Sequence, residues 1–299
     1  MNNIDFSRFG IKPESIKKRG SISVITTKDK KYVVKKNKRK IDSFNYLLSR
    51  NFNNFPNIYT EVNDDYFITD YIEELNIPKE QKLEDIVYLA SILHTKTTFY
   101  KQVDDDYIKN IYESILDKLN SLYQYYTELQ NIIEMEVYMS PANYLLIRNI
   151  SMIYLSLRKA HEYLEKWYSV IKEEKKVRFS YIHGNLDESH LIENDDLYLV
   201  SWDKSRIDLP IYDIETLYKN NYMDINLENL LSIYESKYQL KKEEYYLLLT
   251  HLLIPDKIEI DQEEYLKTKK TTHMMLYLDR ILLYLENDTK KTNYYQNHQ

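Results

Sequence analysis

Hydrophobic positions along the chain change their period partway through. Near the N-terminus they alternate. Ser21 to Thr27 predicts a strand with Ile22, Val24 and Thr26 on one face and Ser23 and Ile25 on the other. A polar turn, Lys28 to Lys31, leads into Tyr32-Val33-Val34, ending at Lys35 and Lys36, so the two runs read as a hairpin. Ile41 to Ser49 reads as a helix facing inward through Ile41, Phe44 and Leu48. Phe55-Pro56-Asn57 is a loop, and Ile58 to Glu61 and Tyr66 to Thr69 read as two more strands around an Asn63-Asp64-Asp65 turn.

After Pro78 the period becomes helical. Leu83 to Thr97 is one helix. Ile108, Ile111, Ile115, Leu119, Leu122, Tyr126, Leu129 and Ile133 form one stripe, at spacings of three and four. Ser140-Pro141 then reads as an N-cap with proline at the first helical position. A second stripe runs from Leu146 through Ile150, Ile153, Leu157, Ala160, Leu164 and Trp167 to Ile171, and should pack on the first as an antiparallel pair. Phe179 to Ile182 predicts a strand. Leu191-Ile192 and Leu197 to Trp202 predict a second small hairpin around Glu193 to Asp196. From Ile211 the pattern is helical again, through Asn226 to Tyr238, Lys242 to Leu253 and Gln262 to Glu286, with a polar, frayed tail from Asn287. The class is α+β: a small β-rich lobe over residues 1–75 and a larger, mainly helical lobe over 76–299, with a cleft between them.

Composition narrows the chemistry. The net charge of −6 argues against nucleic acid as the partner. With no cysteine, disulfides, thiolate metal sites and a cysteine nucleophile are excluded. The start, Met1-Asn2-Asn3-Ile4-Asp5, lacks a basic and then apolar leader, and no apolar run is long enough to span a bilayer, so a cytoplasmic location is expected. The 31 tyrosines fit AT-rich codon usage better than a function. Only three glycines occur, Gly10, Gly20 and Gly184, so no glycine-rich P-loop can form. Lys28 to Lys40 is rich in lysine and reads equally as an anion-attracting stretch or a solvated hairpin.

The segment His183-Gly184-Asn185-Leu186-Asp187-Glu188-Ser189-His190, followed by Leu199-Val200-Ser201-Trp202-Asp203, Pro210 and Asp213, carries the functional signal. It resembles the aminoglycoside phosphotransferase and choline kinase branch of the protein-kinase-like superfamily, and is similar to the kinase-like spore-coat proteins of that branch. Weaker points of likeness are the Lys35 hairpin and the hinge-like Tyr66 to Glu73. The resemblance covers element order over most of the chain and residue identity only in this segment. It implies a bilobal kinase-like fold and ATP with Mg²⁺ as cofactors.

Phosphoryl transfer needs a carboxylate for the attacking hydroxyl, an Asp and an Asn on Mg²⁺, and a Lys on the phosphates. By the resemblance, Lys35 fits the phosphate lysine. Asn185 stands where the catalytic Asp belongs, His190 where the metal-binding Asn belongs and Ser201 where the metal-binding Asp belongs. The Ile41 to Ser49 helix offers Lys35 no Glu, only Asp42. An amide cannot accept a proton as a carboxylate does, and a hydroxyl brings no charge to a hard cation. The expectation is a pseudokinase that binds a small molecule or protein. The alternative is an active ATP-dependent phosphotransferase with displaced carboxylates, Asp187 as base and Asp203 on the metal. A helical interaction module is a third reading, disfavoured by the order of loop, hairpin and helix start. His183 and Asp213 are expected to be structural, Asp213 by accepting N–H bonds beneath the loop. His94, Trp202 and Tyr212 are expected to pack.

Overall fold

A computed structural model of the chain describes residues 6–20, 22–36, 41–59, 66–259 and 263–296. Its N-terminal part is an antiparallel sheet of β1 (Ser15–Arg19), β2 (Ile22–Thr26), β3 (Lys31–Lys36) and β4 (Tyr66–Asp70), in that order. The turn before β3 closes on Thr27, whose hydroxyl donates to the Lys30 carbonyl (2.8 Å) and accepts the Lys30 N–H (3.1 Å). Alternation works on this sheet because one face is dry. Ile25, Val34 and Ile68 pack with Ile11 into a small core.

β1 was not foreseen. Its sequence, Ser-Ile-Lys-Lys-Arg, has no apolar alternation and serves as an exposed edge, where lysines discourage further pairing. Of the strand expected over 58–61, residues 58 and 59 are described, and Ile58 bridges to Thr69. Residues 60–65, with the expected Asn63 to Asp65 turn, lie outside the described residues.

The helix α1 (Ile41–Ser49) buries Phe44 and Leu47, while Leu48 is half exposed. Its inward face is therefore rotated from the expected one, because Phe44 and the following Phe52 and Phe55 turn toward Trp202.

The C-terminal part is built on α2 (Lys79–Thr97), α3 (Asp105–Glu134), α4 (Pro141–Arg148) and α5 (Ile150–Glu174). Asp104 caps α3 by accepting the Tyr107 N–H at 2.8 Å. Ser140 caps α4 with Pro141 at its first turn, as expected. The first stripe is buried apart from partly exposed Ile111, and α3 packs on α5. The second stripe is broken: Asn149 leaves helical geometry, so Leu146 belongs to α4 and Ile153 to Ile171 form the buried face of α5. Each buried Leu or Ile along these stripes contributes roughly 1.5–3 kcal/mol.

β5 (Phe99–Gln102), β6 (Lys176–Ile182) and β9 (Arg206–Asp208) form a second sheet in the order β5-β6-β9. Only the middle strand was legible, since its edges are short and polar. β7 (Leu191–Glu193) and β8 (Leu197–Leu199) make the expected hairpin. β8 stops at Leu199 rather than Trp202, because Ser201 to Lys204 turns into a short 3-10 segment.

α6 (Ile211–Asn221), α7 (Leu227–Glu235), α8 (Lys242–Leu253) and α9 (Glu264–Gln296) complete the fold. α9 continues through the stretch expected to fray, 287–296. The architecture is the expected α+β one, an N-terminal antiparallel sheet followed by a larger helical part. No helix among the described residues is long and apolar enough to cross a membrane.

Candidate functional site

The loop after β6 is held from below by one carboxylate. Asp213, in the first turn of α6, is fully buried. Its two oxygens accept the N–H groups of His183 and Gly184, both at 2.7 Å. His94 Nε2 lies 3.1 Å from the same carboxylate, and His94 Nδ1 lies 2.7 Å from the Tyr234 hydroxyl. Burial holds the Tyr234 phenol protonated, so it donates to Nδ1 and leaves Nε2–H to donate to Asp213. Burial alone would raise the Asp213 pKa. The hydrogen bonds from His94 and from the His183 N–H outweigh it and hold the carboxyl below its ordinary range. The chain Tyr234–His94–Asp213 thus anchors the loop, and His94, singled out only as a packing residue, is part of that anchor.

Gly184 has φ +74°, the left-handed region. A Cβ there would stand 2.4 Å from the Lys204 carbonyl oxygen and 3.2 Å from Arg206 Nη1. The loop can lie against the Lys204 turn only with glycine at this position. His183 is buried and held on both sides: its Nε2–H donates to the Val200 carbonyl (2.9 Å), its ring meets Trp202 edge-on at 4.8 Å, and burial pushes its pKa down, so it stays neutral.

Asn185 sits on top of this support. Its Oδ1 accepts from Lys204 Nζ at 3.2 Å, and its backbone carbonyl accepts from His190 Nδ1 at 2.7 Å. That bond places the imidazole proton on Nδ1. Asp187 caps the short turn Glu188–His190: its carboxylate accepts the Ser189 hydroxyl at 2.7 Å and the Ser189 N–H at 3.1 Å. Burial opposes its ionisation, but the two Ser189 bonds, with His190 and Lys79, prevail and hold the pKa below the ordinary carboxylate value. Lys79 ties the loop to two other elements, pairing with Glu188 at 3.0 Å and with Asp224, after α6, at 2.9 Å.

Ser201 adopts φ 67°, ψ 46°, a left-handed conformation rare for a residue with a Cβ. Trp202 beside it is buried, with its indole N–H on the Leu199 carbonyl (2.9 Å), while Asp203 is exposed. Tyr212 is partly buried against the main core. Lys35 stands opposite Phe67 in the β3–β4 register, so the two share a sheet face. Phe67 stacks on Phe44 at 5.2 Å, and Phe44 meets Trp202 at 6.0 Å. The Lys35 face of the sheet is therefore the one turned toward the Ser201–Trp202 turn.

The structure thus gathers Asn185, Asp187, His190, His183 and Asp213 into one loop with its support. It sets Ser201 and Lys35 on two sides of an aromatic cluster, and leaves Asp203 facing solvent. Lys204, Lys79 and Asp224 were missed. Lys204 was open to notice from its place three residues beyond Ser201, whereas Lys79 and Asp224 meet only through the fold. Among the described residues no group of three His, Asp or Glu side chains converges as metal ligands. His190 spends one ring nitrogen on backbone and Ser201 offers a neutral hydroxyl, so these residues do not fit a hard divalent cation.

No family model matches the sequence, and no curated protein matches it. Solved structures do. An aminoglycoside phosphotransferase from Alicyclobacillus acidocaldarius superposes with a TM-score of 0.67 at 12% identity, over 94% of this chain and 93% of that one. A spectinomycin phosphotransferase solved with ADP and spectinomycin superposes with a TM-score of 0.50 at 10% identity, over 91% and 94%. A choline kinase from Streptococcus pneumoniae gives 0.47 at 15% identity, over 96% and 99%. The chain shares the fold of the aminoglycoside phosphotransferase from Alicyclobacillus acidocaldarius over nearly its whole length.

Proposed function

We propose that this chain uses a kinase-like fold to bind a small molecule or a protein partner and does not transfer a phosphoryl group. The observation that carries the reading is Asn185. At the position that the resemblance assigns to the catalytic carboxylate stands an amide, engaged through its oxygen by Lys204 and unable to accept a proton. Two further features support it. Asp187, the substitute base of the alternative reading, is committed to Ser189 and is a weakened base. Ser201, in the slot of the metal-binding Asp, brings no charge.

In this reading the cleft lies between residues 1–75 and 76–299, with Lys35 as the residue that would meet the phosphates of ATP and His190, Ser201 and Asp203 as a degenerate metal set. The spectinomycin phosphotransferase was solved with ADP, so a nucleotide is the first ligand to try. Cytoplasmic residence, and a likeness in role to kinase-like spore-coat proteins, belong to the same reading.

The test is a thermal-shift titration with ATP, with and without Mg²⁺. A metal-dependent binder at a hundredfold excess over Kd gains about 2.7 kcal/mol. The expected result is no Mg²⁺-dependent gain. The double variant Asn185→Asp with Ser201→Asp should acquire one, and a folded double variant that acquires none removes the slot assignment. Turnover by the native chain that disappears in Asp187→Asn overturns the proposal.

A further inference from the structure

The turn between α3 and α4 is built inside out. Its polar groups serve the interior. Asn143 is buried, and its Nδ2 donates to both Glu136 oxygens, at 2.9 and 3.0 Å. Ser140 Oγ accepts the Asn143 N–H at 3.3 Å, and Glu264 Oε1, at the start of α9, accepts the Ala142 N–H at 2.8 Å. Its apolar groups are left to water. Met135 is 77% exposed, Val137 87% and Tyr138 92%. Tyr144 of α4 is 58% exposed, and Tyr265 and Leu266, beside Glu264, are 71% and 46% exposed. The bond from Ala142 to Glu264 joins the start of α9 to the start of α4, so these side chains surround one point of the surface. Single exposed apolar side chains are ordinary, but a group of them around a turn ordered from within marks a contact surface. The same bonds fix the turn in advance of any partner.

Size and charge decide what fits it. At roughly 150–250 Å² per aromatic side chain and about 60–120 Å² per aliphatic one, the exposed fractions leave about 450–800 Å² of this group open to water. One side of a stable interface takes about 800 Å². Tyrosine and methionine are also enriched in the core of such interfaces. The charges of the patch cancel: residues 132–148 and 263–270 hold four glutamates against three lysines and Arg148. An anionic membrane calls for a basic rim around the apolar residues, and this patch has none in excess. A second copy presents the identical surface. On a chain of net charge −6, a neutral patch can meet itself without like-charge repulsion.

We propose that this patch is the contact between two copies of the chain, paired about a two-fold axis beside Tyr138. Val137 and Tyr138 of each copy pack on the same turn of the other, with Tyr144, Tyr265 and Leu266 as the surround. The pairing is independent of how the loop at Asn185 is read, because the two share no residue.

The experiment is sedimentation velocity of the full chain over a concentration series up to about 100 μM, since interfaces of this size reach micromolar affinity or better. A monomer–dimer equilibrium should appear. The double variant Val137→Asp with Tyr138→Asp should weaken it by about tenfold or more, because the new carboxylates face their own copies across the axis. Both positions are exposed, so the far-UV circular dichroism and melting temperature of the dilute variant should stay native. A second readout uses the absence of cysteine: Lys269→Cys, at the rim, takes a single spin label and should give an intermolecular distance by pulsed electron paramagnetic resonance. The inference is overturned if the native chain stays monomeric throughout, if the folded double variant dimerises as well as the native chain, or if the label reports no intermolecular distance. Binding to vesicles of equimolar phosphatidylcholine and phosphatidylglycerol that is lost in the double variant would make the patch a membrane contact and overturn it as well.

Discussion

Replacing Asp213 by alanine removes the acceptor for three buried donors at once. The His183 and Gly184 N–H groups lose bonds of 2.7 Å and His94 Nε2–H one of 3.1 Å, all to a fully buried carboxylate. An unsatisfied buried donor costs about 1–3 kcal/mol, so the bare sum is roughly 3–9 kcal/mol. Water admitted to the space left by the carboxylate offsets part of this, and losses on breaking a buried charged network centre on about 3–5 kcal/mol. A typical domain has about 5–15 kcal/mol in total, so the variant should unfold at markedly lower denaturant. Urea unfolding at pH 7 followed by far-UV circular dichroism should show the midpoint fall with an unchanged slope. Asp213→Asn keeps one acceptor oxygen and should lose less. The native pKa of Asp213 lies below its unfolded value, so its contribution is present at neutral pH and disappears as pH falls through the native pKa. The alanine variant should lack that acid-side loss. A destabilisation below about 1 kcal/mol would refute the claim that this carboxylate organises the loop.

Gly184→Ala forces a side chain into the left-handed region, at about 1–2 kcal/mol, and drives its Cβ against the Lys204 carbonyl, at about 1–3 kcal/mol more; thermal denaturation should show the combined loss. Glu215 provides a pH test away from the loop. Burial works against its charge, but His251 and Lys219 together lower its pKa to about 2 from 4.5. Its contribution is therefore complete above pH 4.5 and lost between there and about 2. Glu215→Gln should flatten unfolding free energy measured across that window.

The long helices were legible because α3 and α5 each bury one stripe, and a stripe survives in any tertiary setting that covers it. β1, β5 and β9 were not, since edge strands owe their pairing to a neighbour and carry little pattern of their own. The face of α1 was misjudged at Leu48 because nine residues admit more than one inward arc, and the rings that pack on Phe44, Trp202 and Phe67 among them, are distant in sequence. The candidate site divides in the same way. The His183 to His190 segment and Asp213 could be read from their local order. The pairing of Lys79 with Glu188 and Asp224 joins three distant stretches and appears only once α2 is packed.

The aromatic cluster around Trp202 has an optical consequence. The chain holds two tryptophans, and Trp167 is sealed within the face of α5. Trp202 touches Phe44 of α1 and Phe52 and Phe55 just beyond it on one side, and His183 on the other. It directly follows the left-handed Ser201. In a Trp167→Phe background its emission therefore becomes a built-in gauge of the strain between the N-terminal helix and the loop, readable without any label.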